Sequence, residues 1–393
     1  MHLRLYDTNA RALRDFRAGH TVRLYVCGIT PYDSAHLGHA FTYVAFDTLI
    51  RYLEHLGHRV ISVRNVTDVD DDILRKAREM GEDYLELGRR EVEDFDRDLD
   101  RLAVRRPDAV PLATETVPAM VVAIRALVAS GAAYCLPDGR VYFDTVKSGR
   151  FAELSQLPRE TMLVEFAENG GDPDAPGKRD RLDFLLWQPS APDEPTWDSD
   201  WGPGRPGWHI ECSVMVGEEL GSVIDIHGGG RDLIFPHHSA EILQAEGLSG
   251  QAPFVRYWLH TGMVALDGTK MSKSLGNLLF VEDLLERFDG GALRRYFLQH
   301  HYRSDWTYDD DDAIEAAALF KVWQDAAPLE GRAPELAAQF HQAMADDLDT
   351  PTAIRIVDQV ADTGAGTTLR ELAALLGLEL ADTPGKNFSD SGV

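Results

Sequence analysis

The run 22–27 (VRLYVC) is apolar and β-rich, ends at Gly28, and leads through a Thr30-Pro31 turn into a segment of helical spacing. A buried strand feeding an amphipathic helix is the opening of a β-α unit, and it restricts the possible architectures more than any other feature. Across 40–56 the apolar positions Val44, Leu49, Leu53 and Leu56 share one helix face, and Gly57 supplies the stop. A strand is expected at 60–63, a helix at 72–81, and acidic helix onward to about 102. This β-α-β-α order predicts a parallel sheet with helices on its faces.

The pattern returns late in the chain, with a strand at 223–227, a turn at Gly228-Gly229-Gly230, a helix from about 236 to 246 and strand-like sequence at 257–266. The intervening stretch is richer in Pro, Gly and Asp, as in GGDPDAPGKRD and PSAPDEPTW. It reads as an insertion between two halves of one nucleotide-binding sheet. The expected divisions are 1–107 for the first half, 108–204 for the insertion, 205–260 for the second half, 261–310 for a loop-bearing region, 311–380 for an acidic helical domain and 381–393 for a disordered tail.

Charge narrows the partners. With 39 Lys+Arg against 65 Asp+Glu, the formal charge is −26, a poor match to phosphate backbones or anionic membranes. The three cysteines, Cys27, Cys135 and Cys212, are no disulfide framework, so a reduced, cytoplasmic setting is expected. The N-terminus lacks a signal-type apolar core, and the longest apolar candidate, 117–133, is broken by Pro118 and Arg125. No membrane segment is expected.

Three constellations carry chemistry. In TPYDSAHLGH, His36 and His39 open the first helix, where unpaired N–H groups and the dipole favour phosphate, and Gly38 allows close approach. Alone, such a pair is also what surface histidines at a helix start look like. In KMSKS, Lys270 and Lys273 sit between Gly268 and Gly276, a cation clamp able to close on a triphosphate. Together the two motifs resemble the signature of class I aminoacyl-tRNA synthetases. The third constellation joins Cys27, Cys212, His237 and Glu241, the last two at i, i+4 on one helix face. Two Cys, one His and one Glu suit Zn²⁺. A zinc site of this kind selects a thiol over a hydroxyl. Cys135 and His238 read as buried filler.

The motifs YVCG-TPYD-HLGH, NVTDVDD, RPGWHIECS, DIHGGGRDLIFPHH and KMSKS resemble those of cysteinyl-tRNA synthetase and of its sister, the mycothiol-pathway cysteine ligase, strongly over about 20–310. The resemblance implies an α/β fold: a class I synthetase-type Rossmann nucleotide-binding domain, an inserted connective subdomain and a C-terminal α-helical domain. It makes 261–310 the signature-loop and stem-contact-like region. It implies zinc ligation by Cys27, Cys212 and His237, with Glu241 as the synthetases' fourth ligand. Thr30, Thr42, Asn65, Val66, Thr67, Trp208, Gly230, Arg231, Asp232 and Val264 match positions around a cysteinyl-adenylate. His36, His39, Lys270 and Lys273 would stabilise the transferring phosphates, with Mg²⁺ accompanying ATP and adenine against the 228–230 turn.

The two branches differ in acceptor. CGITPYD, the ENGGDP segment at 168–173 and the segment from Ala345 to Leu380 resemble the ligases, and the chain stops where a synthetase would continue into an anticodon-reading domain. From 309 to 393 there are 17 acidic and 5 basic residues, a net of −12 unsuited to holding RNA. The run 309–312 itself reads as a solvated helix entry. His227, Glu241 and Asn169 depart from the ligase pattern. The expectation is therefore a monomeric ligase joining L-cysteine to the amine of glucosaminyl-inositol at the expense of ATP. A truncated cysteinyl-tRNA synthetase, and a paralogue acting on another small amine or a carrier, are the alternatives.

Overall fold

The computed structural model describes residues 2–32, 35–271 and 278–381. At its centre lie four parallel strands in the order Val255–Thr261, Ile224–Gly230, Thr21–Ile29, Arg59–Val66. The strand Thr21–Ile29 is nearly continuous in buried apolar side chains, Leu24, Tyr25 and Val26 among them, as a strand covered on both faces must be. The helix Leu37–His55 joins it to Arg59–Val66, and its Phe41, Val44, Leu49 and Leu53 are buried.

Two expectations change. Gly228-Gly229-Gly230 is not a turn: these residues continue the strand and pair with Leu259, His260 and Thr261. The glycines serve packing, since a Cβ on Gly228 would lie 1.9 Å from the Phe46 ring and one on Gly229 would lie 2.8 Å from Leu233. The strand-like 257–266 divides as well. Val255–Thr261 stays in the central sheet, whereas Val264–Leu266 joins Thr269–Lys270 and Trp306–Tyr308 in a separate three-stranded sheet. The helix expected at 236–246 is entered through a 3₁₀ turn, Arg231–Leu233, and a kinked turn, Ile234–His238, in which Phe235 is extended, before the α-helix Ser239–Ser249.

The insertion carries the helix Ala113–Ser130 and an antiparallel sheet of Ala133–Cys135, Val141–Phe143, Leu185–Pro189 and Gly204–Pro206. That helix is long and apolar enough to cross a membrane by length and composition. Its Val117, Met120, Ile124 and Leu127 are buried in a core shared with Phe143, Trp187, Ile210 and Leu243.

After residue 309 the helices Asp310–Ala326, Pro334–Ala345, Thr350–Asp362 and Gly366–Leu375 follow. The acidic run 309–312 is a cap: the Asp309 carboxylate accepts from the backbone N–H of Asp311 and Asp312, and the next aspartates sit at the positive end of the dipole. These helices share one hydrophobic core with the central sheet, running from Leu5, Leu24 and Leu53 to Trp323, Phe340 and Leu369. Arg294 pins the two regions. Its fully buried guanidinium pairs with Asp47 and donates to the carbonyls of Leu102 and Leu376. Burial alone would raise the Asp47 carboxyl, yet Arg294 and Arg51 together hold it below the usual carboxylate range.

Removing one partner of such a pair strands the other without its counter-charge. Arg294→Met should lower the unfolding free energy by about 3 kcal/mol. In urea unfolding, the Asp47→Asn/Arg294→Met double variant should lose less than the single one.

Candidate active site and metal centre

The carboxyl ends of parallel strands are where open α/β sheets bind ligands. Cys27 lies near that end of Thr21–Ile29, and Cys212 approaches from the helix Trp208–Glu219. His237 lies in the kinked turn Ile234–His238 and Glu241 in the first turn of the following helix. Their four ligand atoms lie within 4.8 Å of one another, and all four residues are buried. Cys27 Sγ is 3.9 Å from Cys212 Sγ and 3.7 Å from Glu241 Oε1, and His237 Nε2 is 3.2 Å from that same oxygen.

Burial pushes the Cys27 thiol up, and Cys212 and Glu241 push it the same way. Burial lowers His237 to about 3, which leaves a neutral imidazole whose Nδ1 lies 3.0 Å from His209 Nδ1 and whose Nε2 faces Glu241. Two sulfurs, a neutral nitrogen and a buried carboxylate are a donor set that suits a divalent cation of zinc's softness.

His238, read as filler, belongs to this cluster. Its Nε2 is 3.3 Å from Cys27 Sγ, and Cys27, His227, His238 and Glu241 form a second group within the same 4.8 Å. The chain is kinked just before the two histidines, where Phe235 is extended with φ −137° and ψ 134°. Both histidines are buried, and both lie near Cys27 and Glu241. The HH pair with His227 upstream was the available signal.

Further contacts hold these rings. His227 Nε2 lies 2.9 Å from Glu241 Oε2 and stacks on Trp258. His238 Nδ1 is 2.8 Å from His260 Nε2, whose other nitrogen is 2.8 Å from the Thr8 hydroxyl. Trp208 stacks on His237 with ring centroids 4.3 Å apart. Such outer contacts fix ring orientation and tautomer. Cys135 corrects the other filler reading: it is exposed, on an insertion strand.

Five of the ten residues expected around an adenylate lie at the same sheet edge. Thr30, Asn65, Val66, Thr67 and Gly230 lie at or just beyond the carboxyl ends of neighbouring parallel strands. Gly28 N–H donates to Asn65 Oδ1 at 2.7 Å, and Asn65 Nδ2 donates to the Thr67 hydroxyl at 3.2 Å. The Thr42 and Thr261 hydroxyls are 2.8 Å apart. Arg231 is engaged by Asp305 at 2.9 Å and by the Arg303 carbonyl, Asp232 is exposed, and Val264 is buried in the small sheet.

His36 caps the first helix, its Nδ1 accepting from Gly38 N–H at 3.2 Å, and its ring stacks on His39 at 3.7 Å. The helix begins at Leu37, earlier than expected, so His39 stands in its first turn. Leu37 N–H donates to the Leu279 carbonyl and Val281 N–H to the Ala35 carbonyl, tying this helix start to the segment after KMSKS. The backbone of Lys270 ends the strand Thr269–Lys270, while Lys273 and the tail from 382 lie outside the described residues.

One group went unnoticed in the sequence. Glu211, one residue before Cys212, is 1% exposed, and Asp68 and Asp70 lie near it. Burial raises the Glu211 carboxyl well above its ordinary range and Asp70 to about 6. A Glu within GWHIEC, flanked by stronger metal signals, gave little sign of this.

Solved class I enzymes share the fold. A methionyl-tRNA synthetase of Mycobacterium tuberculosis, solved with methionyl-adenylate, superposes with a TM-score of 0.64 at 15% identity, covering 91% of this chain and 89% of its own. A LeuRS of Agrobacterium radiobacter K84, solved with tRNA and LeuAMS, gives 0.65 at 12% identity, covering 91% and 83%. Residues 15–318 match the family described as tRNA synthetases class I (C) catalytic domain. The chain belongs to that family.

Within it, the chain is 46% identical over 386 residues to the L-cysteine:1D-myo-inositol 2-amino-2-deoxy-alpha-D-glucopyranoside ligase of Nakamurella multipartita, covering 96% of this chain and 95% of that one. The ligases of the same name from Streptosporangium roseum and Thermomonospora curvata are 44% and 46% identical, covering 96% and 95% of this chain and 96% and 91% of their own lengths.

The donor set makes a direct prediction. Cys212→Ala should lose bound metal on purification, as read by elemental analysis, while Cys135→Ala should retain as much as the parent protein.

Proposed function

We propose that this protein is an ATP-dependent ligase that activates L-cysteine as cysteinyl-adenylate and transfers it to the amine of glucosaminyl-inositol, releasing AMP and pyrophosphate. One observation carries the reading. The chain is alike over nearly its whole length to ligases named for that reaction, and it gathers the Cys27, Cys212, His237 and Glu241 donor atoms at the carboxyl edge of its sheet.

These four residues would hold a zinc ion, and zinc bound there would supply a soft Lewis acid that accepts a thiolate in preference to a hydroxyl. The chain's own side chains do the remaining work. Thr67, Trp208 and Asp232 orient the amino acid, and Thr30, Asn65 and the backbone at Gly230 border the nucleotide. The carboxylate of the amino acid attacks the α-phosphate in line. His36 and His39 at the helix start, with Lys270 and Lys273 and the Mg²⁺ that accompanies ATP, balance the charge on the phosphates. Holding the reactants and stabilising that charge suffices, so no protein nucleophile enters. The neutral amine of the acceptor then attacks the adenylate carbonyl and AMP departs.

The decisive experiment offers the purified protein ATP and cysteine with either glucosaminyl-inositol or tRNA and weighs the products. The expected product is cysteinyl-glucosaminyl-inositol with stoichiometric AMP; charging of tRNA with no sugar product would contradict the reading. Lys273→Ala should slow single-turnover adenylate formation by roughly 10²-fold while leaving cysteine binding intact. An unchanged rate would remove that lysine from the mechanism.

A further inference from the structure

We propose that Glu211 is the counter-charge for the ammonium group of the amino acid being activated, a specificity-determining residue of the site. The assignment rests on the cysteine-activating reading above. Glu211 is buried at 1% exposure, and among the described residues its Oε2 has no hydrogen-bond partner. The neighbouring acids are engaged elsewhere. Asp68 accepts from the Thr114 N–H at 2.9 Å and from its hydroxyl, and Asp70 accepts from Asp72 N–H at 2.8 Å. Arg205, the nearby cation, pairs with Asp71 and with Glu194 at 3.1 Å. Of this acidic group, Glu211 Oε2 is the buried oxygen left without a donor.

A buried carboxylate oxygen in that condition is costly until a cation with N–H donors meets it. The surrounding hydrogen bonds place it at the amino-acid site. Gly28, next to Cys27, donates to Asn65; Asn65 donates to Thr67; and the Thr67 hydroxyl lies beside the Glu211 carboxylate. Glu211 in turn precedes Cys212 in the helix, so these residues run from one metal-site cysteine to the other. In free cysteine the sulfur and the ammonium nitrogen are only about 3–4 Å apart, set by the Cα–Cβ torsion. A thiol anchored between Cys27 and Cys212 therefore carries its ammonium toward this wall. The acceptor amine is the poorer occupant, because it must be neutral to attack and a carboxylate beside it would favour its protonated form.

The test compares L-cysteine with 3-mercaptopropionate, which keeps the thiol and carboxylate but lacks the amine. Binding of each to the metal-loaded parent protein and to Glu211→Gln is measured by calorimetry, with metal content determined alongside. Glu211→Gln should weaken cysteine by roughly 10- to 100-fold, the range of a charge-assisted hydrogen bond. Binding of 3-mercaptopropionate and metal content should stay unchanged. Should the buried amide prevent folding, Thr67→Val, which strips the hydroxyl beside the same carboxylate, should show a loss confined to cysteine. Equal losses for both thiols, or no loss for cysteine, would overturn the assignment alone. A parent protein that bound neither thiol would overturn the cysteine reading and this assignment with it.

Discussion

Glu241 is buried completely beside two thiols and three imidazoles, and the organisation of the sheet edge depends on that concentration of donors. Such a carboxylate is not stable in isolation. Its oxygens reach His227 at 2.9 Å and His237 at 3.2 Å, and the sulfur of Cys27 lies 3.7 Å away. A divalent cation between these groups would resolve the charge, favour the thiolates that burial otherwise suppresses, and use the neutral form that burial imposes on His237 and His238. Three elements meet around this point: the strand end at Cys27, the helix bearing Cys212, and the kinked turn bearing His237 and His238. Trp208, Trp258 and His260 pack around the rings and limit how far they can turn.

A site of that kind needs a rigid support. The first helix starts at the carboxyl edge of the sheet and is held from behind by the Arg294–Asp47 pair, whose guanidinium also reaches the end of the last helix at Leu376. Arg295 adds a second tie, pairing with Asp358 at 2.8 Å, which also accepts from the Trp323 indole. The acidic C-terminal helices thus act as part of the scaffold behind the site. Their negative charge serves helix caps, as at Asp309, and surface solvation, and it suits a small polar acceptor better than a polyanion.

Much of this was legible in the chain. The first strand and helix and the second strand follow from local pattern, which survives in sequence because it depends on residue type at short spacing. Cys27, Cys212 and the His237–Glu241 pair are far apart in the chain and group by ligand chemistry and family resemblance; the fold brings their donor atoms together. What the sequence hid depends on contacts between distant segments. Gly228–Gly230 looks like a turn until Phe46 of another element is seen to occupy the space their side chains would need. His238 looks like filler until the fold sets it 3.3 Å from the Cys27 sulfur. Strand-like 257–266 divides because Val264 finds its partner at Trp306. Glu211 is an ordinary acidic helix residue by pattern, and only burial beside Thr67 and Asp70 sets it apart.

The central claim is that the buried Cys27, Cys212, His237 and Glu241 set holds a zinc ion that reads the substrate's sulfur. X-ray absorption at the zinc edge of the purified protein, with and without substrate amino acids, tests it most directly. The account predicts a mixed sulfur and nitrogen/oxygen shell that gains sulfur when L-cysteine is added and does not change with L-serine. A shell without sulfur, or one that cysteine leaves unaltered, would contradict it.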